Sequence, residues 1–263
     1  MTGGPSAGPR VVQLMVTCLC DAFFDDVARA TVEVLEHLGC AVDFPRDQTC
    51  CGQPAYNAGD WDAARRVARH TLRVFAGGDR GVDGADPAPV VTPSGSCARM
   101  LSHGAPLLFE GHEELGAAHE LARRAFELAE FVVRVLGVSR WPGRYAGTLA
   151  FHRSCHSRGA AYGDSALALL RSIDGARVVE VDEAEQCCGF GGTFAVRFPG
   201  ISREIGALKL ANLRAAAPDA VVSGDMGCLM HLDGLARREG RPIRVLHVGQ
   251  VLRDALAAKR SAP

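Results

Sequence analysis

Short apolar runs alternate with longer stretches of helical spacing along this chain, and the whole alternation occurs twice. Arg10–Thr17 (RVVQLMVT), Cys40–Phe44 and Pro89–Thr92 carry consecutive apolar residues at strand length, as strands buried on both faces do. Between the first two, Asp21–Leu38 places Phe24, Val27, Ala28, Thr31, Leu35 and Leu38 on one side of a helix that Gly39 closes. A second helix is predicted from an Asp60 cap through Phe75, ended by Gly77-Gly78. Asp79–Pro89 is a Gly/Asp/Pro-rich surface excursion, and Glu113–Leu136 has the spacing of one long amphipathic helix.

The second half repeats this order. Strands are predicted at Thr148–His152, Arg177–Val181, Ala220–Ser223 and Ile243–Leu246, with helices at Ser165–Ile173, Ser202–Ala217 and Val248–Ala258. Ser139–Gly147 (SRWPGRYAG) has a weak apolar pattern and reads as the link, giving repeats at 10–138 and 145–258. Strands alternating with helices predict an α/β fold of two pseudo-symmetric repeats, each a parallel β-sheet flanked by helices. Ligands in such folds sit at the carboxyl ends of strands, where the cysteine loops fall.

The cysteines show that this is a duplication. Cys18, Cys50 and Cys51 reappear as Cys155, Cys187 and Cys188 at one offset of 137 residues, and Cys97 reappears as Cys228 at an offset of 131. In both copies the adjacent pair is followed by glycine, Gly52 and Gly189. Cys20 and Cys40 have no counterpart, and as single buried cysteines they read as small hydrophobes.

Composition narrows the function. A chain of 263 residues with 48% hydrophobic and 22% charged residues has ample material for two globular cores. Its 29 Lys and Arg are interleaved with 30 Asp and Glu, so no basic footprint for nucleic acid or an anionic membrane exists. Met1–Arg10 lacks the apolar core of a signal peptide, and no stretch approaches the about eighteen apolar residues that span a bilayer. Ten cysteines without an export signal point to the reducing cytoplasm, where clustered thiols serve as metal ligands or redox groups.

Four thiolates per site match a four-iron cluster and equally a structural zinc. Spacing favours the cluster. Zinc is usually held by two short C-x₂₋₄-C knuckles, and neither set of four contains one. Metal or cluster binding is therefore expected at Cys18, Cys50, Cys51 and Cys97, and again at Cys155, Cys187, Cys188 and Cys228. A vicinal disulfide within each pair is a strained alternative. Gly189-Phe190-Gly191-Gly192 has neither the dinucleotide fingerprint nor the Gly-Lys-Ser/Thr of a P-loop. His152, His156, His231 and His247 flank cysteines or strand ends, and histidine can replace cysteine on iron. A lone histidine is nonetheless more often a hydrogen-bonded structural residue.

These motifs resemble the cysteine-rich CCG-domain iron–sulfur family, to which the CCG component of heterodisulfide reductase belongs. The nearer likeness is to its small two-repeat lactate utilisation protein A group. It rests on Thr17–Asp21, Gln48–Asn57 (QTCCGQPAYN), Pro93–Cys97, Cys187–Phe194 (CCGFGGTF), Ile201-Ser202 and Cys228–His231, and spans Val11 to Leu252. The resemblance implies a subunit with one or two 4Fe-4S clusters, carrying electrons as L-lactate is oxidised to pyruvate. A ferredoxin-like iron–sulfur subunit and a further subunit would be its partners. A zinc-stabilised assembly scaffold and a thiol–disulfide (heterodisulfide-type) reductase are the rival functions. Two departures stand out: Ser94 and Asp225 occupy the first position of the C-x-x-C that ends each repeat in full-motif relatives, and Arg153 stands where an acidic residue is usual.

Overall fold

The computed structural model describes residues 11–76 and 87–260. The predictions for Met1–Arg10, for the Gly77-Gly78 stop and for the excursion up to Asp86 lie outside those residues. The chain divides into two compact units between Gly137 and Val138.

Unit 1 carries a parallel sheet of β1 (Val11–Leu14), β2 (Ala41–Asp43), β3 (Val90–Thr92) and β4 (Ala125–Glu127) in the order β2-β1-β3-β4. Val12, Val90 and Val91 are fully buried, as strands covered on both faces require. The helix Asp25–His37 turns Val27, Ala30, Val34 and Leu35 inward and returns to β2 through Gly39, whose φ of 82° lets Cys40 donate its N–H to the Leu35 carbonyl at 3.0 Å. The helix Trp61–Ala76 begins where Asp60 Oδ1 accepts the Ala63 N–H at 3.0 Å, and buries Ala64, Ala68, Leu72 and Phe75.

Unit 2 repeats the arrangement with β5 (Arg144–Phe151), β6 (Asp174–Glu180), β7 (Ala220–Ser223) and β8 (Val245–His247), parallel and ordered β6-β5-β7-β8. Helices Ala161–Arg171, Pro199–Ala215, Met226–Arg238 and Val248–Arg260 accompany it, with Leu149, Leu169, Leu210, Val222, Leu229 and Val251 at its core. Two parallel four-stranded sheets flanked by helices are the expected α/β fold. No helix among the described residues is long and apolar enough to cross a membrane.

Two local expectations differ from the structure. The long helix over 113–136 is instead the helix Leu115–Arg124, then β4, then a helical segment from Leu128 to Val135 whose last turn is π-helical. Ala125-Phe126-Glu127 leave the helix because β3 offers an open edge, and pairing there buries Ala125 and Glu127. The stretch 139–147 is part of unit 2 rather than a free link. Trp141 is 1% exposed and donates its indole N–H to the Leu252 carbonyl at 2.9 Å, and β5 already begins at Arg144.

Candidate metal centres

The strand order puts a switch point in each sheet, between β1 and β3 and between β5 and β7. Connections leave the two neighbours toward opposite sides there, opening a crevice at the carboxyl edge. Cys18 opens the helix Cys18–Phe23 just after β1, and Cys97 lies in the helix Gly95–Arg99 just after β3. The Cys50-Cys51 loop follows β2. Unit 2 places Cys155 after β5, the Cys187-Cys188 loop after β6, and Cys228 in the helix after β7. The duplicated cysteines thus converge on equivalent places.

In unit 1 the four sulfurs form one chain. Cys18 faces Cys50 at 3.7 Å, and Cys51 is hydrogen-bonded to both Cys50 and Cys97. Unit 2 has the same chain: Cys155 contacts Cys187, Cys187 contacts Cys188, and Cys188 faces Cys228 at 2.9 Å. Each chain descends from the surface into the core, since Cys18 is exposed, Cys50, Cys155 and Cys187 are half-buried, and Cys51, Cys97, Cys188 and Cys228 are buried. All ten cysteines are free thiols.

The glycine after each pair has a structural cause. Gly52 and Gly189 both adopt φ of 88°, which turns their N–H groups back onto Cys50 and Cys187 at 3.5 and 3.3 Å. Those two sulfurs also receive hydrogen bonds from their cysteine neighbours, chiefly Cys18 and Cys155. Their thiols are consequently held well below the ordinary value. The same bonds, with burial, push the donors Cys18, Cys155, Cys51 and Cys188 upward. Cys228 accepts from Cys188, yet burial and the charges of Asp225 and Cys187 hold it high. Thiolate is therefore favoured at the first cysteine of each pair. Loading a thiophilic metal would displace protons from the raised thiols.

The candidate histidines separate clearly. His231 meets Ser202 Oγ at 3.3 Å, and His247 accepts the Gly249 N–H at 3.0 Å as a helix cap. His156 Nδ1 lies 3.6 Å from Cys155 Sγ. His152 differs from all three. It is 1% exposed, neither ring nitrogen has a hydrogen-bond partner, and burial pushes its pKa down to about 3. An orphaned buried polar group costs about 1–3 kcal/mol per atom, so this imidazole is a standing liability unless something binds it. One of its nitrogens and the sulfurs of Cys188 and Cys228 all lie within 4.8 Å of one another.

Sequence reasoning missed Lys209. It is fully buried and donates to the Glu183 and Ala184 carbonyls at 2.9 and 3.1 Å, pinning the loop that leads to the second pair. Burial lowers its pKa while the neighbouring Cys188 and Glu183 raise it. No local signal in the sequence marks this lysine. The departures also find places. Ser94 Oγ caps the Cys97 N–H at 3.3 Å, and Arg153 pairs with Asp164 at 2.8 Å and Glu180 at 3.3 Å.

Contiguous soft sulfurs, inward N–H groups and an unpartnered imidazole fit a thiophilic metal or an iron–sulfur cluster. The family described as the CCG cysteine-rich domain matches residues 12–102 and 149–233, each segment holding one cysteine set. This chain belongs to the CCG cysteine-rich family. Lactate utilization protein A of Geobacillus kaustophilus is 44% identical over 243 residues, covering 92% of this chain and 98% of that protein. Lactate utilization protein A 1 of Bacillus anthracis is 40% identical over 247 residues, covering 93% and 98%. The CCG chain described here is thus a member of the lactate utilization protein A group. A crystal structure of a hypothetical protein from Helicobacter pylori has a similar fold, with a TM-score of 0.58 at 13% identity. That match covers 97% of this chain and 51% of the other.

Proposed function

We propose that this chain is a cytoplasmic iron–sulfur electron-transfer subunit of an oxidoreductase system converting L-lactate to pyruvate. The observation that carries the proposal is the pair of equivalent four-thiol chains at the sheet switch points. The name borne by relatives at 40–44% identity supports the substrate. Cys18, Cys50, Cys51 and Cys97 would hold one 4Fe-4S cluster, and Cys155, Cys187, Cys188 and Cys228 the other.

A bound cluster supplies one-electron storage, whereas oxidising a 2-hydroxy acid removes two electrons and two protons. Hydride removal is therefore assigned to a partner, with a ferredoxin-like iron–sulfur subunit and a further subunit completing the system. This chain's residues hold the cluster near a loop-bearing edge. Their N–H groups at Gly52 and Gly189 stabilise thiolate charge, and the half-buried Cys50 and Cys187 leave a short route to a docked partner.

Anaerobic purification tests this. Iron with acid-labile sulfide is expected, with no pyruvate formed from L-lactate by the isolated chain and pyruvate formed once its co-expressed partners are added. Zinc in place of iron after reconstitution would favour the assembly scaffold. Turnover of a heterodisulfide by metal-free protein would favour the thiol–disulfide reductase.

A further inference from the structure

The two centres differ at one equivalent position. His152 follows β5 directly and donates its N–H to the Val222 carbonyl at 2.7 Å. Met15 follows β1 directly and donates its N–H to the Val91 carbonyl at 2.9 Å. The same backbone bond to the neighbouring strand fixes the two residues in one place in the two units, independently of the 137-residue offset between them. Met15 is fully buried and belongs to the apolar cluster that includes Cys51 and Cys97. A thioether there needs no partner. An imidazole does, and among the described residues its two nitrogens have none.

What faces His152 narrows the missing partner. Lys209 acts on it as a nearby cation, but its ammonium is engaged with the Glu183 and Ala184 carbonyls. Cys187 also acts on the imidazole, and one of its nitrogens and the Cys188 and Cys228 sulfurs lie within 4.8 Å of one another. Metal–sulfur and metal–nitrogen bonds of ordinary length set donors on one tetrahedral metal about 3.5–3.8 Å apart. The imidazole nitrogen is therefore within reach of the centre that these sulfurs would hold.

We propose that His152 is a nitrogen ligand of the second centre, so that the two units hold chemically different centres, one ligated by sulfur alone and one by sulfur and imidazole. The proposal rests on the iron–sulfur reading above. A four-iron cluster takes one protein ligand per iron, so His152 would stand in for one of Cys155, Cys187, Cys188 and Cys228, and imidazole in place of thiolate removes negative charge from a cluster and raises its potential. The second centre is then the stronger electron acceptor of the two.

The test is pulsed EPR on the reduced, reconstituted full chain grown with ordinary or ¹⁵N-labelled histidine. A strong nitrogen coupling that changes with the label and vanishes in His152→Cys, with iron content retained, is the expected result. A signal free of histidine coupling would overturn the inference while leaving the cluster reading intact. Coupling that persists in His152→Cys would do the same, by assigning it to another histidine. If the protein takes zinc instead of iron, the cluster reading fails, and ¹⁵N NMR of labelled histidine decides the ligand. A His152 resonance displaced on zinc loading supports ligation, and an unmoved one overturns it. Failure to bind either metal would overturn both.

Discussion

The two units hold the same chain of sulfurs, but they hold it with different parts. In unit 1 the pair loop is pinned by Gln48 and His70. Gln48 accepts the Val16 N–H at 2.8 Å and donates to the Leu14 and Pro45 carbonyls at 3.0 Å, while His70 contacts the Asp47 carbonyl at 2.6 Å. In unit 2 the work falls to the buried ammonium of Lys209, to Ser202 Oγ donating to the Gly189 carbonyl at 2.8 Å, and to Asn212 reaching Gln186 at 2.9 Å. The strand ends and the glycine after the pair are shared, and the pins are not. Sheet geometry thus delivers the sulfurs, and many local hydrogen-bond solutions suffice to steady the loop between them.

The most drastic perturbation is to remove a sulfur from one unit. Serine keeps the size of cysteine but is a poor ligand for a soft metal. Cys50→Ser and Cys187→Ser are each expected to lose about half the bound metal, measured as iron per chain after anaerobic reconstitution. Loss of all metal from either variant would show one shared centre instead of two.

The paired glycines sharpen the contrast. Both need a positive φ, which costs a non-glycine residue about 1–2 kcal/mol. A Cβ at Gly52 would meet Ala64 O and Val67 at an ordinary 3.5 Å, whereas a Cβ at Gly189 would collide with the Ser202 carbonyl and approach Gly206 N at 3.0 Å. Backbone cannot yield as a side chain does, so overpacking adds about 1–3 kcal/mol. Gly189→Ala should destabilise the protein by about 2–5 kcal/mol and Gly52→Ala by about 1–2 kcal/mol. Equal losses in chemical denaturation would mean that the helix Pro199–Ala215 does not clamp the second loop.

How much of this was legible depended on whether a feature repeats. Seven of the eight strands follow apolar runs, and the matched cysteine spacing identified which thiols meet. The fourth strand of unit 1 was missed because Ala125-Phe126-Glu127 is only three residues long and sits among Leu, Ala, Arg and Glu. Such residues favour helix locally, and the edge of β3 overrides them. The duplication itself held the missing signal, since β8 has the same place in unit 2. Features private to one unit were the illegible ones. Nothing in the local sequence shows that His152 lacks a hydrogen-bond partner or that Lys209 is buried, because both facts depend on contacts across the fold.

A smaller effect is expected at Lys209. Lys209→Met preserves the buried stem but leaves the Glu183 and Ala184 carbonyls without their donor. Unmade buried bonds cost about 1–3 kcal/mol each, partly offset because the desolvated charge is also gone, leaving about 2 kcal/mol. Metal retention should fall in unit 2 alone, read as faster release to a chelator from Cys50→Ser/Lys209→Met than from Cys50→Ser. Ser94→Ala in unit 1 loses the cap on Cys97 and about 1 kcal/mol, with metal content unchanged.

The smallest effect on metal is expected at the two unduplicated cysteines, for a geometric reason particular to each. Cys40 stands immediately before β2, at the amino end of the strand, while the pair loop leaves the carboxyl end. The length of β2 therefore separates Cys40 from the start of the pair loop. Cys20 shares the short helix Cys18–Phe23 with Cys18, but residues two apart on a helix point to different sides. The burial agrees: Cys18 is exposed and Cys20 is 1% exposed. Replacing either by alanine removes a small buried sulfur and should cost about 1 kcal/mol of stability. Iron per chain should match the unsubstituted protein in both Cys20→Ala and Cys40→Ala. A deficit in Cys20→Ala equal to that of Cys50→Ser would make Cys20 a ligand of the first centre, and unit 1 would then own a private donor as unit 2 owns His152.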